Sequence, residues 1–157
     1  MKIEPSATRS HDHNACVHDA VATAVDLCEK RGARLTAQRR RVLELVWGSH
    51  RAVKAYEILD DLAREQPGAR PPTVYRALEF LMAHGLVHRV DSLNAFVGCN
   101  HARDRHEAQF FICDGCGLVR EIDEPSIGQA VTRGAKKLGF RVDRQTVEMH
   151  GRCEACQ

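Results

Sequence analysis

Apolar residues recur at helical spacing four times in the first half of the chain and at strand spacing through much of the second. In "CVHDAVATAVDLCEKRG", Val17, Ala20, Val21, Ala24, Val25 and Cys28 fall on one helical face, and Gly32 supplies a stop. A second helix is predicted from the N-cap Thr36 to about Ser49, its stripe made by Val42, Leu43, Val46 and Trp47. "KAYEILDDLAREQPG" repeats the pattern with Tyr56, Ile58, Leu59 and Leu62 until Pro67-Gly68 breaks it. The fourth helix opens at "PPTVYRALEFLMAHG", where proline is tolerated because the first-turn amides have no helical partner, and Gly85 ends it. Its inward face is Val74, Ala77, Leu78 and Leu81, which leaves Thr73, Tyr75, Arg76 and Glu79 to solvent or a partner. "LVHRVDSLNAFVG" then reads as a hairpin turning at residues 92 to 94.

Helices followed by a hairpin predict a winged helix over residues 16–98, preceded by a polar segment, 1–15, that reads as a mobile tail. Beyond Cys99 the texture changes to strand-like "QFFIC" and "LVREI", a helical "SIGQAVTRGAKKLG" and a strand "FRVDRQTVEMHG", an α/β unit over 99–157. The fold class expected is α+β.

Charge separates the two halves further. Residues 30–90 carry 12 Lys and Arg against 6 Asp and Glu, whereas residues 91–157 carry 9 against 10. A basic N-terminal module followed by a nearly neutral one points to polyanion binding in the first. With 43% hydrophobic residues the chain can bury a core without disulfides, and no apolar run approaches the roughly 20 residues a membrane helix needs. No secretory leader is apparent either, so a cytoplasmic protein is expected, one in which seven cysteines are not a disulfide framework.

Four of those cysteines stand as Cys113-x-x-Cys116 and Cys153-x-x-Cys156. Two intervening residues let one tight turn present two thiolates to a tetrahedral ion, and two such turns close the sphere of a structural zinc. The 36 residues between the pairs are accommodated by a strand-helix-strand that returns to its start. The alternative use of such a pair, a thiol oxidoreductase centre, places it at a helix N-terminus that lowers the thiol pKa. "CDGCGLVREI" runs into a strand instead.

A second ligand-rich stretch holds His88, Cys99, His101, His106 and Glu121. His88, Cys99, His106 and Glu121 can form a shell of one sulfur, two nitrogens and one oxygen, which suits zinc; the thiolate argues against magnesium, calcium or manganese. His101 is the alternative to His106. The "HDHNACVH" run, with His11, His13, Cys16 and His18, reads as part of a disordered polar segment rather than a further metal site. In the basic module, Thr73, Tyr75 and Arg76 lie where a recognition helix contacts bases and phosphates, and Tyr56, Arg39 and Arg40 are further candidates for DNA contact.

Taken in order, "RLTAQRRRVLELV", "AYEILDDL", "PPTVYRALEFLMAHGLVHRV", "FICDGCG" and "HGRCEAC" resemble the ferric uptake regulator family of bacterial repressors, in its zinc-uptake branch, over about residues 20–157. The resemblance implies an N-terminal winged-helix DNA-binding domain, a C-terminal α/β dimerisation domain and a homodimer on an inverted-repeat DNA operator. It also implies at least two zinc ions per subunit: a structural one on Cys113, Cys116, Cys153 and Cys156, and a regulatory one on His88, Cys99, His106 and Glu121. Iron-sensing members carry a His-His-Asp-His-like run before the first Cys pair, where this chain reads "NHARDRHEAQFFIC". The expected function is therefore a zinc-responsive, non-enzymatic repressor of zinc uptake genes with no small-molecule substrate. The rivals are an iron, manganese or peroxide sensor of the same family and a Cys-x-x-Cys oxidoreductase.

Overall fold

The computed structural model describes residues 13–49, 51–104 and 106–157. These fall into two compact units, whose described parts run over 13–103 and 104–157.

The first unit contains α1 (His13–Lys30), α2 (Ala37–Trp47), α3 (Ala55–Glu65), α4 (Pro71–Ala83), β1 (Val87–Val90) and β2 (Ala95–Gly98). α1 starts at His13, inside the segment read as a tail, because no proline or glycine interrupts residues 13–30 and the apolar face pulls the chain into helix. The buried arc of α1 is Val21, Ala24, Leu27 and Cys28, centred on Ala24; Val25 falls at its edge and is 37% exposed. α2 is capped as expected, with the Thr36 hydroxyl accepting the Arg39 amide at 3.3 Å.

Val42, Leu43 and Val46 of α2, Ile58 and Leu62 of α3, and Val74, Ala77, Leu78 and Leu81 of α4 are all at most 3% exposed and form one core. Each such side chain contributes about 1.5–3 kcal/mol if Val, Leu or Ile. Arg41 ties α2 to α3, its guanidinium reaching both carboxylate oxygens of Glu65 at 2.8 and 2.5 Å.

The hairpin pairs Val87 with Gly98 through Val90 with Ala95, turning at Asn94, whose φ of 47° is the left-handed conformation that asparagine tolerates. Gly98 is required by packing: the Trp47 indole lies against its Cα, where any side chain would overlap it. Residues 51–54 are stitched to the hairpin by two backbone hydrogen bonds between Val53 and Phe96, both 2.8 Å. The chain stays with this unit past β2. The Cys99 amide donates to the Leu86 carbonyl at 3.1 Å, Ala102 packs on the core, and Arg103 pairs with Asp26. The division between units therefore falls after Arg103 rather than after Gly98.

The second unit is built from β3 (Ala108–Cys113), β4 (Val119–Ile122), α5 (Pro125–Lys137), β5 (Thr146–Gly151) and a 3-10 turn at Glu154–Cys156. The sheet order is β4-β3-β5, with β3 antiparallel to β4 and parallel to β5, so α5 serves as the crossover that parallel strands require. β5 begins at Thr146, later than the strand expected from Phe140. Its register sets Thr146 opposite Ala108, the first residue of β3, so the preceding residues have no β3 strand to pair with. Phe140 and Val142 are instead 70% and 40% exposed.

Candidate metal centres and nucleic-acid face

Cys113 ends β3, and the turn that follows is closed by the Gly117 amide on the Cys113 carbonyl at 2.9 Å and by the Cys113 amide on the Leu118 carbonyl at 2.8 Å. Gly117 takes φ 73°, a conformation glycine adopts without strain. Because β5 runs parallel to β3, with Gly151 beside Cys113, the chain delivers Cys153 and Cys156 to that same turn. The donor sulfurs of Cys113, Cys116, Cys153 and Cys156 all lie within 4.8 Å of one another. Zinc–sulfur bonds of about 2.3 Å at tetrahedral angles set sulfurs about 3.8 Å apart, and Cys116 and Cys153 stand at 3.7 Å.

The electrostatics of the cluster agree with that donor set. The Cys153 amide, first, and then the Cys116 and Gly115 amides lower the Cys113 thiol to about 6. Cys156, facing the sulfurs of Cys153, Cys116 and Cys113, is pushed up to about 12. Four thiols this close favour having one deprotonated and the rest neutral until a cation compensates them. Space is tight as well, since a Cβ at Gly115 would stand 3.0 Å from both Cβ and Sγ of Cys156. His150 Nδ1 and Asp114 Oδ1, 2.9 Å apart, link the end of β5 to the Cys113 turn. None of these four cysteines stands at an α-helix N-terminus, where a thiol oxidoreductase pair would belong.

The second expected ligand set divides two and two between the units. In the first unit, half-buried His88 on β1 and buried Cys99 after β2 have donor atoms within 4.8 Å. In the second, His106 Nε2 lies 2.7 Å from Glu121 Oε1, with side chains only 5% and 2% exposed. His106 Nδ1 is 3.0 Å from the Asp104 carbonyl oxygen. A carbonyl oxygen only accepts, so Nδ1 donates, and Nε2 presents a lone pair to a carboxylate that also only accepts. A cation must lie between them, either a proton or a metal. Burial of Glu121 on β4 opposite Phe110 makes that requirement strict. Among the described residues His101 joins neither group of donors, nor do His13, Cys16 and His18 on α1. His11 lies outside the described residues.

On α4, Tyr75 is 52% exposed, Arg76 is exposed and Thr73 is half-buried in the first turns, while Tyr56 at the start of α3 is 59% exposed. Arg39 and Arg40 are placed differently. The Arg39 guanidinium lies 3.6 Å over the Phe80 ring and donates to the Arg34 carbonyl at 2.6 Å. Arg40 is paired with Glu44 at 3.0 Å. The stack on Phe80 was not visible in a linear reading, because Phe80 stands two helices further along.

Among the described residues no helix is long and apolar enough to cross a membrane. A model of the ferric uptake regulator family matches residues 30–150. The zinc uptake regulation protein of Escherichia coli (strain K12) is 42% identical over 140 residues, 88% of this chain and 81% of that one. Among solved structures, a zinc uptake regulator complexed with zinc and DNA matches with a TM-score of 0.85 at 40% identity, covering 88% of this chain and 93% of that one. The holo form of XcZur matches with a TM-score of 0.80 at 43% identity, covering 87% and 96%.

Proposed function

The chain belongs to the ferric uptake regulator family, and we propose that within it the protein is a zinc-responsive transcriptional repressor that binds operator DNA as a homodimer. The observation that carries this reading is the match, over 88% of the chain, to a regulator solved with zinc and DNA. Cys113, Cys116, Cys153 and Cys156 hold a structural zinc that keeps the second unit folded. His88, Cys99, His106 and Glu121 are the ligands of a regulatory zinc in this reading, so two ions are bound per subunit. The donor chemistry supports that choice, since a thiolate, two imidazoles and one carboxylate make a closed four-ligand set for zinc.

A regulatory ion acts by linkage. Zinc bound more tightly in the DNA-competent arrangement raises DNA affinity by that differential free energy and no more. Operator reading falls to α4 through Thr73, Tyr75 and Arg76, assisted by Tyr56, with one helix per half-site of an inverted repeat. The dimer draws support from the second unit, where Phe111, Val131, Leu138, Phe140 and Val142 are between 38% and 84% exposed, more apolar surface than a lone soluble unit usually shows.

The test is DNA binding against buffered free zinc, with metal content measured alongside. A duplex enriched by the protein from a random pool should be bound when two zinc ions are present per subunit and released when one remains. DNA affinity independent of zinc, or restored equally by ferrous iron or manganese, would refute the zinc assignment.

A further inference from the structure

Most cations of the first unit are already neutralised or engaged within it. Lys30 and Arg103 pair with Asp26, Arg40 and Arg41 with Glu44, Arg64 with Asp61, and Arg89 with Asp91. Arg31 and Arg39 donate to the His84 and Arg34 carbonyls at 2.7 and 2.6 Å. Among the described residues of this unit, Arg34, Arg51, Lys54, Arg70 and Arg76 are the exposed cations with neither an ion pair nor a side-chain bond to a carbonyl of the fold. The run Arg39-Arg40-Arg41, the densest basic stretch of the sequence, is thus largely committed to the fold, and the charge free to meet a polyanion lies elsewhere.

We propose that Arg51 and Lys54 are backbone-phosphate contacts of the DNA-bound protein, gripping the duplex beside the residues of α4 that read it. This rests on the DNA-binding reading given above. Three observations carry it. The segment is held rigidly, since the paired 2.8 Å hydrogen bonds of Val53 with Phe96 fix its backbone to β2. The Lys54 amide is taken by the Glu57 carboxylate at 2.7 Å, which anchors the residue at the start of α3 while its ammonium stays free of acids. That ammonium lies 5.8 Å over the ring of Tyr56, which is itself 59% exposed.

A cation steadied by an aromatic face loses less rotamer freedom on binding than a freely moving lysine. The Tyr56 hydroxyl adds a hydrogen-bond donor of the kind that phosphate oxygens accept. Phosphate contacts fix register and carry no base information. Arg51 and Lys54 therefore set affinity and its salt dependence, while Arg76 sets sequence preference.

The experiment is a salt titration of the full-length, zinc-loaded protein on a 30-bp duplex that the wild type has enriched from a random pool. Because a dimer carries each residue twice, Arg51→Ala and Lys54→Ala should each reduce the slope of log K against log [salt] by about two, and the double variant by about four. The preference for the enriched duplex over a scrambled one should persist. Arg40→Ala, which breaks only the pair with Glu44, should keep the wild-type slope, as should the charge-preserving Arg51→Lys and Lys54→Arg. A double variant with the wild-type slope and an unchanged melting temperature overturns the proposal. So does loss of binding in the charge-preserving variants, which would make the segment structural. A wild type that binds no duplex in zinc overturns instead the DNA-binding reading beneath it.

Discussion

Replacing Arg76 with alanine isolates base reading from folding and from metal binding. Arg76 is exposed and makes no ion pair among the described residues, whereas its neighbours Val74 and Ala77 are 1% and 3% exposed in the core. Truncation removes no packed surface, and alanine is a better helix former, so the melting temperature should not fall. A bidentate arginine contact to guanine is worth about 1–3 kcal/mol, and a dimer makes it twice, so about 2–6 kcal/mol of operator affinity is at stake. That range corresponds to roughly 30-fold to 10⁴-fold weaker binding. The assay is fluorescence anisotropy on the enriched duplex and a scrambled one, at fixed salt and buffered free zinc, with zinc content and dimer mass measured on the same samples. Binding to the scrambled duplex should change far less. Equal losses on both duplexes would make Arg76 a phosphate contact, and unchanged operator affinity would remove α4 as the reader.

Cys99→Ser exchanges the only thiolate of the proposed regulatory set for a poor neutral ligand; one zinc should survive chelation while operator binding ceases to rise with free zinc, and a wild-type zinc dose-response would contradict the assignment. Cys113→Ser should release the other zinc and, with it, much of the folding free energy of the second unit, seen as monomer or aggregate in light scattering. Gly98→Val drives a side chain into the Trp47 indole and should cost about 1–3 kcal/mol of stability in the first unit, read by chemical denaturation; an unchanged midpoint would mean that the indole moves freely aside. His84, at the end of α4, is held below its ordinary value of 6.5 by burial and then by Arg31 and Arg39. The unfolded chain thus takes up a proton that the folded one resists, so stability present above about pH 6.5 declines as the pH falls below it. Melting curves of His84→Gln at pH 5.5 and 7.5 should differ less than those of the wild type.

The inward face of α4 was legible because Val74, Ala77, Leu78 and Leu81 repeat at the helical period, and the same residues are buried. The four-cysteine cluster was legible because a strand-helix-strand brings its ends together, and β3, α5 and β5 do so. The role of Arg39 was not, since its partner Phe80 is 41 positions away and no local pattern pairs them. The same holds for residues 51–54, whose rigidity comes from two hydrogen bonds to Phe96 rather than from any propensity of their own. The late start of β5 depended on where β3 begins, a register that neither strand specifies alone. At His106 the sequence offered a candidate ligand; the Asp104 carbonyl that fixes its tautomer needed coordinates.

The Cys153 amide bonds to the Cys113 sulfur across 40 positions of chain. A zinc ion bridging these turns, as proposed above, would act on the unfolded polypeptide as a removable cross-link, one that a reducing environment leaves intact. Closing a loop of about that length withdraws roughly 4 kcal/mol of entropy from an otherwise open chain on the chain-entropy model. Parallel pairing of β3 with β5 is a slow, non-local step for a free polypeptide, and a pre-formed metal tether shortens the distance over which it must be found. Zinc supplied before refolding should therefore speed assembly of the second unit, whereas zinc supplied afterwards can only retain what has already formed.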